Sequence, residues 1–316
     1  MEPVIPMEPK ASTTIPRGTE WIGQIKWDGV RLLTYWDGIG VRLFNRRRKE
    51  RTWHYPELTA IKSYCTAASA ILDGEVVALG QDGKPSFSRV MKRDGIRRPE
   101  RVKELQRTIP IAYLIFDVLY CNGEWLGERP FRDREEILSR IIFPNGYCLR
   151  VVSYSDGRAL FAAVKEQGLE GIVMKRLDSP YILGGKKDYW LKIKNYHDLV
   201  AVIGGFTLDG SRANALLLGL YDDRGSLHYV GRVGTGRLTQ EEWRSLTESL
   251  RLLQIPDRPF ANGPRVSPSA RWVKPRFTVR IQHLGWTDDY LLRQPSIQEV
   301  ADIPPRECRL AEGIPV

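Results

Sequence analysis

The sequence predicts an α+β chain in two parts. Antiparallel sheets with flanking helices occupy residues 1–196, and a small OB-type β-barrel occupies residues 197–316. Three observations predict this. Short apolar runs bounded by turn residues recur from Trp21 to Lys194, with helical spacing at Arg132–Ile142 and Asp156–Gln167. Beyond residue 196 the pattern changes to closely spaced strands with one helical insertion. The length, 316 residues, suits two ordinary domains.

The elements follow in order. Residues 1–20 read as a lead-in lying on the surface. Trp21–Ile25 reads as a strand, and Leu32–Tyr35 as another. Between them lies Lys26-Trp27-Asp28-Gly29-Val30-Arg31, where Asp28-Gly29 is a turn pair and glycine is expected at positive φ. Asp37-Gly38 signals a hairpin into Val41–Asn45, followed by the basic run Arg46–Lys49. Pro56 near a first turn opens a short helix at Tyr55–Leu58. Ala70–Leu79 is an apolar strand carrying Asp73 and Glu75 on one face. Carboxylates inside a buried strand are costly unless a cation or donor waits there; an edge strand facing water is the other reading.

A short helix is expected around Phe87–Met91, and Ile109–Tyr120 is the most apolar strand, with Phe116 inside it. Ser155 or Asp156 can cap the second long helix. Glu170–Lys175 is a strand that starts with an acid. Tyr189–Lys194 places Trp190, Lys192 and Lys194 on one face. In the second part, strands are expected at 200–208, 215–221, 227–233 and 271–284, with a helix from Gln240 to Leu253 opened by a Thr239/Glu242 capping box.

Composition narrows the function. Forty-eight Lys+Arg against 38 Asp+Glu give a net charge of +10, which suits a polyanionic partner. No apolar run approaches the roughly 20 residues needed to span a bilayer, and the N-terminal stretch lacks a signal core. The four cysteines are far apart, which fits reduced thiols in a cytosol rather than a zinc knuckle or disulfide framework.

Taken in order, KWDGVR, Asn45-Arg46, LDGE at 72–75, IFDVLY at 115–120, EGIVMK at 170–175 and WLKIK at 190–194 resemble the ATP-dependent DNA ligases of the covalent nucleotidyltransferase superfamily. The likeness covers nearly the whole chain. It is strongest to the compact bacterial type related to the ligase module of the end-joining enzyme LigD. It implies a nucleotidyltransferase (adenylation) domain followed by the OB-type barrel, and a nick-sealing reaction through a lysine–AMP intermediate. Lys26 would be the nucleophile. Arg31 and Arg46 would contact the nucleotide and then the nick phosphate. Glu75 would bind ribose or metal, Phe116 would stack on adenine, and Glu170 would be the main metal carboxylate. Lys192 and Lys194 would hold the α-phosphate. Gln24 and Ile25 complete the implied nucleotide-binding set. The implied cofactors are ATP and Mg²⁺ or Mn²⁺, since two carboxylates without His or Cys favour hard cations. The implied partner is nicked or broken duplex DNA, with end-joining or repair proteins, in a monomer of the bacterial cytoplasm associated with the nucleoid and not with a membrane.

The chemistry needs such parts. A free lysine has a pKa of about 10.4, so little amine is neutral at pH 7 unless its surroundings act on it. Only 25 residues precede Lys26, which leaves no room for the extra domain of NAD-dependent ligases, so ATP is expected. Two departures stand out. Gln24 replaces a glutamate common two places before the lysine. The tail Leu292–Pro304 lacks the arginine and lysine that orient pyrophosphate in related ligases, leaving slow self-adenylylation or a substitute from Lys274, Arg276 or Arg293. An RNA ligase, a capping-type guanylyltransferase, or a nucleic-acid-binding relative that lost catalysis would share most of the same motifs.

Overall fold

Strand pairing divides residues 1–195 into two sheets. The computed structural model describes residues 1–80, 83–263 and 268–311. The chain forms two units, Met1–Asn195 and Tyr196–Val316, so the division falls one residue before the boundary read from the sequence.

In the first unit the strands are β1 (Lys10–Ala11), β2 (Trp21–Ile25), β3 (Val30–Trp36), β4 (Val41–Asn45), β5 (Ala70–Ala78), β6 (Ile111–Cys121), β7 (Glu124–Trp125), β8 (Cys148–Arg150), β9 (Gly171–Arg176) and β10 (Trp190–Lys194). The helices are α1 (Phe87–Asp94), α2 (Val102–Thr108), α3 (Phe131–Ile141) and α4 (Gly157–Glu166), and Pro56–Thr59 is a 3₁₀ turn. Among the described residues, one sheet has four strands in the order β1-β10-β9-β2. The other has six, in the order β4-β3-β5-β6-β7 with β8 beside β6.

Each sheet has one face toward helices and one toward the other sheet. Leu32, Leu72, Val76 and Ile115 pack with Val90, Leu138 and Ile141 on the helix side. The alternate residues Leu33, Tyr35, Ile71 and Leu119 meet Met7, Tyr181 and Trp190 from the other sheet's side. On the smaller sheet, Ile172, Met174 and Ile193 pack with Leu160 and Val164 of α4. That helix is capped by Asp156, which accepts N–H groups from Arg158 and Ala159 at 2.9 and 3.0 Å; a cap of this kind is worth roughly 1 kcal/mol.

Several expectations change. The lead-in is not a surface segment. Met7 is fully buried, and β1 pairs in parallel with β10. β2 and β3 do not form a hairpin, because they belong to different sheets. Residues 26–29 therefore carry the chain from one sheet to the other. Gly29 is needed for space rather than for positive φ, since a Cβ there would lie 2.1 Å from the Val76 carbonyl oxygen. β5 is an interior strand, so Asp73 and Glu75 do not sit on an edge.

In the second unit the strands are β11 (His197–Asp209), β12 (Arg212–Tyr221), β13 (Leu227–Val233), β14 (Gln254–Ile255), β15 (Ala270–Val273), β16 (Thr278–His283) and β17 (Ser296–Ala301), with helix α5 (Gln240–Leu252). They form one OB-type half-barrel. Its long strand β11 pairs with β12 on one edge and with β16 and then β15 on the other. The single strand expected over 271–284 is two, broken around Pro275, which has no N–H to give a ladder. The Thr239/Glu242 capping box forms as read. The tail Leu292–Pro304 contains β17, a strand that the sequence did not suggest. No helix among the described residues is long and apolar enough to cross a membrane.

Candidate active site

The link between the two sheets places Lys26 against the start of β9. Its main-chain N–H donates to the Gly171 carbonyl at 2.9 Å, and its Nζ lies 2.6 Å from Glu170 Oε2. The other oxygen of Glu170 is 3.7 Å from Lys194 Nζ. Gly171 allows this approach. Its φ is +149°, and a Cβ there would sit 2.2 Å from the Ile193 oxygen. Glu170 is almost buried, while Lys26 keeps about a fifth of its side-chain surface exposed. One carboxylate thus gathers two amines that both keep some exposed surface.

Register fixes what surrounds them. Gln24 pairs with Val173 and Val173 with Lys192, so these three share the face that looks toward the six-stranded sheet. Val173 and Phe116 are both only partly buried, and both pack against the same cluster as Trp190 and Tyr181. Ile25 lies on the opposite face with Ile172, packed toward α4. Arg46 is exposed in the turn after β4 and makes no hydrogen bond or ion pair among the described residues.

Burial and charge tune the group. Burial pushes the Glu75 carboxyl up to about 8, against the pull of Lys26 and Arg31, while Glu170 and Asp73 push the same way as burial. Among the described residues Glu75 has no hydrogen-bond or ion-pair partner. Burial also lowers Lys192, helped by Lys26 and Lys186. It lowers Lys194, against Glu170 and with Lys26 and Lys192. Charge repulsion among the three amines is therefore built in.

Arg31 is more occupied than the sequence suggests. It donates to both Asp73 oxygens at 2.9 and 2.6 Å, to the Tyr181 hydroxyl at 3.0 Å and to the Met7 carbonyl at 2.7 Å. One Nη1–H is left for anything else. Asp73 is thus the partner that makes Arg31 rigid. Met7 and Tyr181 went unread, because each lies far from Arg31 in sequence and neither carries a charge pattern.

A second buried network lies below Phe116. Lys175 Nζ donates to the Phe116 carbonyl at 3.1 Å and sits 4.6 Å from the Phe116 ring centre, 4.6 Å from Phe131 and 4.1 Å from Trp190. Burial lowers it to about 7, although Asp117 and Asp73 act to raise it. Arg134 grips Asp117 through two bonds, at 2.8 and 3.0 Å, with both side chains fully buried. Lys175 was visible as the last residue of its strand. Its aromatic cage was not, because Phe116, Phe131 and Trp190 come from three separate elements.

Glu75 and Glu170 provide oxygen donors at one place, and the unpartnered Glu75 carboxyl is the kind of group a hard cation or a ribose hydroxyl would satisfy. Among the described residues no group of three or more His, Cys, Asp or Glu converges. The donor set therefore fits Mg²⁺ or Mn²⁺ completed by water and phosphate oxygens, and does not fit zinc.

Comparison with known proteins follows the same two-part division. Residues 7–194 match the model described as ATP dependent DNA ligase domain, and residues 209–302 match ATP dependent DNA ligase C terminal region. The chain is 32% identical over 287 residues to the multifunctional non-homologous end joining DNA repair protein LigD of Mycobacterium tuberculosis, covering 89% of this chain and 36% of that protein. It is 36% identical over 252 residues to a DNA ligase of Thermococcus onnurineus, covering 75% of this chain and 44% of that one. A solved structure of mycobacterial DNA ligase D complexed with ATP and MES superposes with a TM-score of 0.53 at 29% identity, covering 98% of both chains. The chain spans less than half the length of these two curated relatives.

Proposed function

Because the chain belongs to the ATP-dependent DNA ligase family, we propose that it seals nicks or breaks in duplex DNA by way of a Lys26–AMP intermediate. The observation that carries this reading is the cluster of Lys26, Glu170 and Lys194, with Glu75 beside it. Lys26 Nζ attacks the α-phosphorus of ATP. A P–N bond forms, the bond to the bridging oxygen breaks, and pyrophosphate leaves. The Glu170 carboxylate is within reach of the amine proton given up in that step. Lys192 and Lys194 neutralise the α-phosphate oxygens, since transfer of this kind depends on positioning and charge neutralisation. The adenine lies between Val173 and Phe116, with Gln24 and the main chain at Ile25 alongside. Mg²⁺ or Mn²⁺, held by Glu75 and Glu170, would supply charge neutralisation at the phosphates. Glu75 otherwise meets the ribose.

AMP then passes from Lys26 to a DNA 5′-phosphate, and a neighbouring 3′-hydroxyl displaces it. Arg31, through its remaining N–H, and Arg46, in its exposed turn, contact the nucleotide and then the nick phosphate. The basic surface holds the duplex. End-joining or repair proteins are the partners proposed, for a monomer working at the bacterial nucleoid in the cytoplasm. Incubation with α-labelled ATP and Mg²⁺ or Mn²⁺ tests the reading. Label is expected to stay on the denatured wild-type chain and to vanish in Lys26→Ala. No label on the wild type, or label persisting in Lys26→Ala, would overturn it.

A further inference from the structure

We propose that Ser153 and Glu135 are positioning residues for base selection: they lock the Gln24 amide with its oxygen toward the base, so that a 6-amino purine is accepted and a 6-oxo purine refused. This rests on the ligase reading above.

Counting protons fixes the orientation of the amide. Ser153 Oγ donates to the Glu135 carboxylate on α3. A hydroxyl has one proton, so toward Gln24 the same oxygen can only accept. It meets Gln24 Nε2 at 3.0 Å. The Gln24 NH₂ is therefore committed to Ser153, and Oε1 must point the other way. That oxygen accepts no hydrogen bond among the described residues, and it is not sealed among the buried orphan atoms. Gln24 itself is 97% buried and lies beside Val173 on the face of β2 that looks toward the six-stranded sheet, where the proposed adenine site lies. The relay is held by a main-chain bridge, in which Gly23 and Tyr154 exchange N–H bonds at 2.7 and 2.8 Å and fix Ser153 beside β2.

A free glutamine amide can turn over and offer either end. It would then serve a 6-amino or a 6-oxo purine equally well, which is the weakness of glutamine at a position where a glutamate offers acceptors only. The serine–carboxylate pair removes that freedom. A base edge that brings its own acceptor would meet Oε1 and leave two buried acceptors facing each other, a costly arrangement.

The test compares ATP with ITP, which differ only on the base edge at positions 6 and 1, where the 6-amino group gives way to an oxo group and N1 gains a proton. The full chain is labelled with each α-labelled nucleotide, and the ratio of rates is measured for wild type, Ser153→Ala and Gln24→Glu. Wild type should prefer ATP strongly. Ser153→Ala should lose at least tenfold of that ratio, because the amide is free to turn, while Gln24→Glu should keep the preference. Glu135→Leu carries the same test should Ser153→Ala take no label, since it frees the serine proton. An unchanged ATP/ITP ratio in the labelled relay variant overturns the proposal. Absence of ATP label on the wild type would instead remove the ligase reading itself, so the two failures are distinct.

Discussion

Replacing Lys175 with methionine removes a buried ammonium and keeps the volume. The folded chain holds that proton only up to about pH 7, against an ordinary value of 10.5, because loss of hydration on burial outweighs the pull of Asp117 and Asp73 and of the ring faces of Phe116, Phe131 and Trp190. The unfolded chain therefore binds more protons between those two values, and wild-type stability gains from Lys175 as pH rises through that window. Each pH unit of the window is worth roughly 1.4 kcal/mol, so the whole interval corresponds to roughly 4 to 5 kcal/mol. At pH 6 the Lys175→Met chain should be the more stable by roughly 3 to 5 kcal/mol. By pH 10 most of that advantage should be gone, leaving a near-isosteric swap worth less than about 1.5 kcal/mol. Urea unfolding of both chains at pH 6, 7, 8, 9 and 10 measures the difference directly, and titrating groups that do not interact with Lys175 cancel between them. A difference that stays flat with pH, or a wild type more stable at pH 6, would refute the reading that burial disfavours the Lys175 charge.

Three further outcomes are expected. Gly171→Ala places a Cβ 2.2 Å from the Ile193 oxygen at a φ of +149°; strain of this backbone type alone costs roughly 1–3 kcal/mol, so a lower Tm and loss of the Lys26 label should be seen together. Arg134→Met strands the fully buried Asp117 carboxylate and should cost roughly 3–5 kcal/mol, whereas Arg134→Met with Asp117→Leu should recover much of it, as a double-mutant cycle by denaturant unfolding would read. Binding to a nicked duplex should fall steeply with salt, by roughly a thousandfold between 50 and 200 mM if about six phosphates are neutralised, and a flat response in a filter-binding titration would contradict the DNA partner.

The parts of the site legible in the sequence are those whose chemistry demands a residue type at short spacing. Lys26 stood out against its turn, Glu75 against a buried strand, and Glu170 and Lys194 at the ends of adjacent strands. Strand alternation puts Trp190, Lys192 and Lys194 on one face, and the register sets these three against Lys175, Val173 and Gly171, the alternate residues of β9. What stayed hidden depends on partners far apart in the chain. Met7 meets Arg31 across 24 residues, Tyr181 meets it across 150, and Ser153 meets Gln24 across 129. No local period marks any of them, because a carbonyl, a phenol and a hydroxyl are common groups that become informative only when burial leaves them a single partner. The lead-in is misread for the same cause. Residues 1–20 have little apolar periodicity, yet Met7 fills the gap between the sheets and β1 extends the smaller one beside Lys192. A strand of two residues leaves no pattern in sequence. Its effect is nevertheless on the site, since it turns β10 from an edge into an interior strand and so fixes the line along which Lys192 and Lys194 are presented.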